Sequence, residues 1–448
     1  MRIVMSHPFA RTHSFTFDNM VNELRVVMDT FPDVRQGNNT VYKVADAAIG
    51  AFSVFYTQSP SFLAHQKAME ETNNQSNAQT LFGIQKIPTD ATIRDMLDEV
   101  SPSLLFPIFK YAFNGLMKKG SLEPFRSING NFLVALDASN YHSSSSIHCT
   151  QCSTKQHKNG EITYSHAAIV PVLVAPNNKT VISLPPEFIT PQDGNKKQDC
   201  ENTAAKRWIQ AHTQLFREID VTILADDLYS RQPICNELLD AGFNFILVCK
   251  PDSHKILYEW VNEFQAMGEV QEITIQRRQG KKTFTDSYRF MNQVPLRDGE
   301  DALKVNWCEL TTTQQDGKIV FRNAFCTNHE ITRDNIVEVV AAGRARWKVE
   351  NENFNVLKTK GYNLEHNFGH GNKNLSATLF TFNLLAFLFH TILEMKDTKY
   401  RMLREKLPTR KTFFDHVRAL TTYICFDSWS AILSFMMRGL EMEAPDTS

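Results

Sequence analysis

Three short apolar runs constrain this chain more than anything else in it. Residues 132–136, Val221–Ala225 and residues 243–249 each contain at most one polar side chain. Runs of this length read as strands buried on both faces, the pattern of parallel strands covered by helices. Two further strand-like stretches lie at residues 162–167 and 169–174, and helical spacing occupies residues 199–216 and 234–239. Strands alternating with helices predict an α/β core. The first two runs end in acids, Asp137 and Asp226. A carboxylate at the C-terminal tip of such a strand projects into the crevice where α/β sheets bind ligands.

The rest of the 448 residues divides around this core. Residues 1–120 read as a helical N-terminal region, with Met20, Val21, Leu24, Val27 and Met28 at helix spacing. Residues 125–266 carry the first part of the core. Between 267 and 330 the period becomes two, as in Glu272-Ile273-Thr274-Ile275, predicting a β-rich insertion. Helical spacing resumes in 331–395, the second part of the core, and 396–448 is a helical C-terminal region. The longest uncharged run, residues 374–393, invites a membrane reading. Ser376, Thr378, Thr381, Asn383, His390 and Thr391 interrupt it, so a buried core helix is expected and no membrane partner. Eight scattered cysteines make no disulfide framework, and residues 1–15 hold no apolar signal core, so a reducing cytoplasm is the expected location.

If the strands of Asp137 and Asp226 are neighbours, their carboxylates converge. At about 4 Å and an effective dielectric near 20, two such anions repel by roughly 4 kcal/mol, which calls for a shared proton or a bound cation. Oxygen-only ligands with room for water suit Mg2+ or Mn2+. The bland alternative is two acids that begin turns. Asp227, next to Asp226, is the lesser candidate. A third acid is available further on, where Arg346 and Glu350 are four residues apart and share a helix face.

Asp137 in LVALD, Asp226 in ILADDLYS and Glu350 in RWKVEN resemble the DDE triad of cut-and-paste insertion-sequence transposases. More narrowly they resemble the group with a β-rich insertion before the Glu and a Tyr-x2-Arg-x3-Glu-x6-Lys signature, family four in the usual classification. The resemblance covers about residues 131–393 and implies a ribonuclease-H-like catalytic core. It also implies two Mg2+ or Mn2+ ions held by Asp137, Asp226 and Glu350, and DNA phosphate gripped by Arg346. Metal-dependent cleavage and strand transfer at the ends of a mobile element would follow, on double-stranded DNA and by a homodimer near the nucleoid. The N-terminal helices would read the terminal repeats. Two positions depart from the signature: Gly343 stands where the family has Tyr, and Leu357 where it has Lys, with Lys358 one residue late. One residue turns a regular helix by about 100°, so Lys358 takes the lysine role only if the helix is irregular or ends there. A nuclease of the same fold without strand transfer, and a non-catalytic DNA-binding regulator or inactive copy, are the alternatives.

Lys+Arg (48) and Asp+Glu (49) nearly cancel, so DNA must be held by local basic patches. Arg277, Arg278, Lys281 and Lys282 form one, at a hairpin-like tip inside the insertion. Residues from Lys396 to Lys411 form another, with a solvated helix face as its alternative. Trp307 is a stacking candidate, though a buried tryptophan is preferred. Cys149 and Cys152, among several histidines, could ligate a structural Zn2+; reduced thiols in a turn are the alternative. His366 and His370 sit in a Gly- and Asn-rich stretch that reads as a loop lining the DNA channel.

Overall fold

The computed structural model describes residues 15–35, 41–69, 76–191, 200–216, 218–443 and Pro445. The chain forms two compact units, one made of residues 1–119 with 357–448, the other of residues 120–356.

The first unit is helical and joins the two ends of the chain. Its centre is the helix Leu375–Lys396, which packs on the helices Val44–Tyr56, Asp90–Asp98 and Thr398–Lys406. By length and composition this helix could cross a membrane, but most of it is buried within the unit. Its polar side chains find partners there. Thr378 donates to the Val100 carbonyl (2.8 Å), Asn383 to that of Tyr362 (2.9 Å), and His390 Nδ1 pairs with the Tyr362 hydroxyl (2.6 Å). A helix apolar on all sides needs neighbours on all sides. That is why residues 357–396 belong with the N-terminal helices, and not with the core as the sequence suggested. Asp98 accepts the backbone N–H groups of Asn372, Lys373, Asn374 and Leu375 at 2.9–3.1 Å, fixing the start of the helix. Arg94 Nε donates to the Phe368 carbonyl (3.0 Å). The stretch holding His366 and His370 is thus an anchored loop.

The second unit is mixed α/β. Its strands are β1 (Phe132–Ala135), β2 (Ala138–Ser144), β3 (Ser153–Gln156), β4 (Ile162–Ile169), β5 (Val172–Ala175), β6 (Asn178–Ser183), β7 (Glu187–Ile189), β8 (Val221–Ala225), β9 (Asn244–Val248), β10 (Gln271–Gln279), β11 (Lys282–Pro295), β12 (Lys304–Gln314) and β13 (Ile319–Thr327). Nine of them form one sheet in the order β10-β11-β12-β13-β9-β8-β1-β5-β6. β1, β8 and β9 are parallel, and the other neighbours in this sheet are antiparallel. The helices Glu201–His212 and Gln232–Asp240 precede and follow β8. A smaller sheet, β2-β4-β3 with β7 beside β4, hangs from the end of β1.

The three apolar runs are β1, β8 and β9, the parallel strands with almost every residue buried. The β-rich insertion is not a sheet of its own. β13 pairs with β9, Phe325 opposite Val248, and carries the core sheet outward through β12, β11 and β10. This covers the edge that β9 would otherwise leave open.

Candidate active site

β1 and β8 run side by side and in register, with Ala135 opposite Leu224. Two residues further on, Asp137 and Asp226 leave the carboxyl ends of adjacent strands. The chain passes from β1 to β5 and β6 on one side, and returns to β8 and β9 on the other. The crevice outside β1 and β8 is therefore a topological switch point, where open α/β sheets bind ligands.

Asp137 Oδ2 contacts Arg346 Nη1 at 3.2 Å, and its Oδ1 accepts the Ala138 N–H at 3.0 Å. Burial raises the Asp137 carboxyl above its ordinary range. Arg346 opposes that rise, while the charges of Asp226 and Glu350 add to it. Those two acids are thus within electrostatic reach of Asp137. Asp226 Oδ1 accepts the Leu228 N–H at 2.8 Å. Glu350 lies in a π-helical segment, Val349–Phe354, half-buried, and its carboxylate has no hydrogen bond or ion pair among the described residues. Arg346 keeps one buried atom, Nε, without a partner among the described residues.

Sequence reasoning missed a fourth carboxylate. Glu201 opens the helix before β8 and accepts the hydroxyl of buried Tyr229 at 2.7 Å. Burial raises its carboxyl too, the Tyr229 bond opposes this, and Asp226 and Asp137 add to it. The aromatic residue three places after Asp226 was the available signal. An exposed aromatic, Trp347, lies under the Arg346 guanidinium at 5.4 Å.

Four acids against one arginine leave an excess of negative charge in a half-buried crevice, and two of the acids hold their protons more tightly than usual. Oxygen donors of this kind fit a hard divalent cation such as Mg2+ or Mn2+. Asp227 takes no part. Its Oδ1 accepts the Lys250 N–H and the Ser253 hydroxyl, both at 2.7 Å, closing the turn after β9.

Gly343 now has a reason. A Cβ there would meet Phe325 at 2.8 Å and Ile246 at 2.9 Å, because the helix Ile336–Arg344 lies against β9 and β13. No tyrosine fits at this position.

The remaining candidates lie elsewhere. Arg277, Arg278, Lys281 and Lys282 flank the β10–β11 turn, with Gln279 opposite Lys282. Arg277 is tied to buried Asp286 at 2.6 Å and lies over Phe284; Arg278 Nε donates to the Gly280 carbonyl at 3.2 Å. Lys281 and Lys282 are exposed. Five strand spacings separate β10 from β8, roughly 24 Å across the sheet. Lys358 pairs with Glu365 at 3.2 Å within the helical unit. The second basic cluster is not one solvated face, since Arg410 is held by Glu394 at 2.9 Å and by the Tyr362 hydroxyl at 2.8 Å. Trp307 is fully buried, which removes it as a stacking platform. Cys149 and Cys152 are unbridged thiols in the connection from β2 to β3.

Neither a protein-family model nor a curated protein sequence matches the chain.

Proposed function

We propose that this protein is a DDE-type transposase, cutting DNA at the ends of a mobile element and joining those ends to a target. The observation that carries the reading is the placement of Asp137 and Asp226 at the carboxyl ends of adjacent parallel strands. Glu350 and Arg346 come to the same crevice from a helix that follows the β-rich strands. The order Asp, Asp, β-rich block, helical Glu supports a ribonuclease-H-like core as the finer description of the sheet.

Two divalent ions, when bound, would lower the pKa of an attacking water or 3′-hydroxyl and stabilise the leaving oxygen. Asp137, Asp226 and Glu350 are the residues that would hold them. The chain's own part is positioning and charge compensation. Arg346 holds Asp137 through Nη1 and keeps a positive charge beside the acids, where a DNA phosphate would lie. Tyr229 fixes the Glu201 carboxylate at the rim. Lys281 and Lys282 extend the DNA footprint along the sheet. Two protomers would hold the two element ends, and the helical unit would read their terminal repeats.

The test is a cleavage and strand-transfer assay with Mg2+ on DNA carrying the sequences that flank the gene. Wild type is run beside Asp137→Asn, Asp226→Asn and Glu350→Gln. Cutting at the element ends and joined products, both lost in all three variants, are expected. Cutting without joined products would replace transposition by nuclease activity. Salt-sensitive binding without cutting would replace it by a regulatory role.

A further inference from the structure

The small sheet carries a second group of ligand-type side chains, apart from the carboxylates. Cys149 and Cys152 lie in the connection from β2 to β3, and His166 lies on β4. Their donor atoms are already close: Sγ to Sγ 3.9 Å, and His166 Nε2 to the two sulfurs 3.5 and 3.4 Å. A tetrahedral Zn2+ with Zn–S near 2.3 Å and Zn–N near 2.05 Å needs edges of about 3.8 Å between sulfurs and about 3.6 Å from sulfur to nitrogen. The three observed edges agree with one face of that tetrahedron. A disulfide would need the sulfurs at about 2.05 Å.

The backbone is shaped to match. Cys152 N–H donates to the Cys149 carbonyl at 3.2 Å, closing a tight turn, and Cys149 N–H points to the Cys152 sulfur at 3.4 Å. An N–H aimed at sulfur stabilises a thiolate ligand. Cys152 and His166 are buried, and His166 stacks on Tyr141 with the rings 10° apart. The imidazole is thereby held in one orientation.

We propose that Cys149, Cys152 and His166 form a structural Zn2+ centre that staples the β2–β3 connection to β4. Thiolate and imidazole donors select Zn2+ over the hard cations suited to Asp137 and Asp226, so the two sites take different metals. The fourth vertex belongs to a donor outside this trio. The centre stiffens the sheet that begins one residue after Asp137. It holds that sheet together without touching the reacting atoms, and it stands whether or not the catalytic reading does.

The full chain, purified under reducing conditions without chelator, should carry about one Zn2+ per molecule. After chelation, Co2+ alone should restore a tetrahedral spectrum with sulfur-to-cobalt charge-transfer bands. Cys149→Ser and Cys152→Ser should each lose the metal and the bands, while Cys425→Ser keeps them. X-ray absorption on the wild type, which does not depend on any variant folding, should show two sulfur ligands and nitrogen. Folded wild type that holds no zinc and takes up no cobalt overturns the proposal. So does metal retained in the Cys149 and Cys152 variants, or a Cys149–Cys152 disulfide in the freshly isolated protein. Replacing each remaining histidine in turn then identifies the fourth ligand.

Discussion

Neutralising one acid of the crevice should make the protein more stable. In Asp226→Asn the side chain keeps its shape, and its amide oxygen can still accept the Leu228 N–H that Asp226 accepts at 2.8 Å. The Arg346–Asp137 contact at 3.2 Å is untouched. What disappears is the repulsion between two carboxylates on adjacent strands. Taking the spacing of adjacent strands, about 5 Å, as the separation of the charges, and an effective dielectric between 20 and 80, that repulsion is about 1–3 kcal/mol. For a unit the size of residues 120–356, each kcal/mol moves the melting temperature by roughly 2–4 °C.

The assay is thermal unfolding followed by tryptophan fluorescence in metal-free buffer. Four of the five tryptophans, Trp208, Trp260, Trp307 and Trp347, lie in the α/β unit and report its melting. At pH 7–8 the variant should melt several degrees above wild type. The Asp137 carboxyl is raised, so the native state bears the full repulsion above its folded pKa and loses it as pH falls through that pKa. The advantage of the variant should therefore shrink toward pH 4. Millimolar Mg2+ should raise the wild-type melting temperature and leave the variant nearly unmoved, because the cation replaces what the substitution removed. An Asp226→Asn melting temperature equal to or below wild type at neutral pH would refute the convergence of the two carboxylates.

Three further outcomes are expected. Gly343→Ala should cost about 1–3 kcal/mol in urea unfolding, since its Cβ would overlap Phe325 and Ile246; a loss below about 0.5 kcal/mol would mean that the helix can shift. Buried His329, held by Thr222 Oγ1 at 2.8 Å, has its pKa pushed down to about 4 by burial. Its contribution, about 1–3 kcal/mol, is full above pH ~6.5 and is lost as pH falls from there toward 4. His329→Asn should flatten that part of the stability–pH curve, and an unchanged slope would count against it. Lys281→Ala with Lys282→Ala should lower the slope of log binding constant against log salt by about 1.8 if each lysine meets one phosphate. Arg277→Ala should instead destabilise the fold, because it strips buried Asp286 of its ion pair; an unchanged salt slope in the lysine variant would remove the hairpin from the DNA footprint.

The strands that position the site were legible for a plain reason. β1, β8 and β9 are buried on both faces, so their sequences are nearly unbroken apolar runs, and an acid at the tip marks where the strand leaves the core. The sheet hanging from β1 was less legible. β2 reads ASNYHSS, too polar for an apolar-run signal, and it is a strand because β4 pairs with it. The attachment of β13 to β9 leaves no mark in either sequence, since pairing is made by backbone groups. Glu201 looked like any acid in the first turn of a helix, where it suits the dipole. Only the packing of that helix against β4, β7 and the helix Gln232–Asp240, with the Tyr229 hydroxyl on its carboxylate, marks it as a fourth acid. His166 is separated from the two thiols in sequence by β3 and joins them through strand pairing.

On the transposase reading proposed above, two positions that differ from the signature have local structural surroundings of their own. Gly343 stands for Tyr because the helix lies within van der Waals contact of β9 and β13. The lysine is one residue late, and between Glu350 and Lys358 the helix takes a π turn, Val349–Phe354, which accommodates one residue more than a regular turn. That segment also buries Asn353, with neither its amide oxygen nor its nitrogen hydrogen-bonded among the described residues. A π turn and an unsatisfied buried amide both cost stability, and here they fall within three residues of Glu350. Local conflicts of this kind cluster at active sites in many proteins. The conflicts fall on the helix that brings Glu350 and Arg346 to Asp137, in the α/β unit.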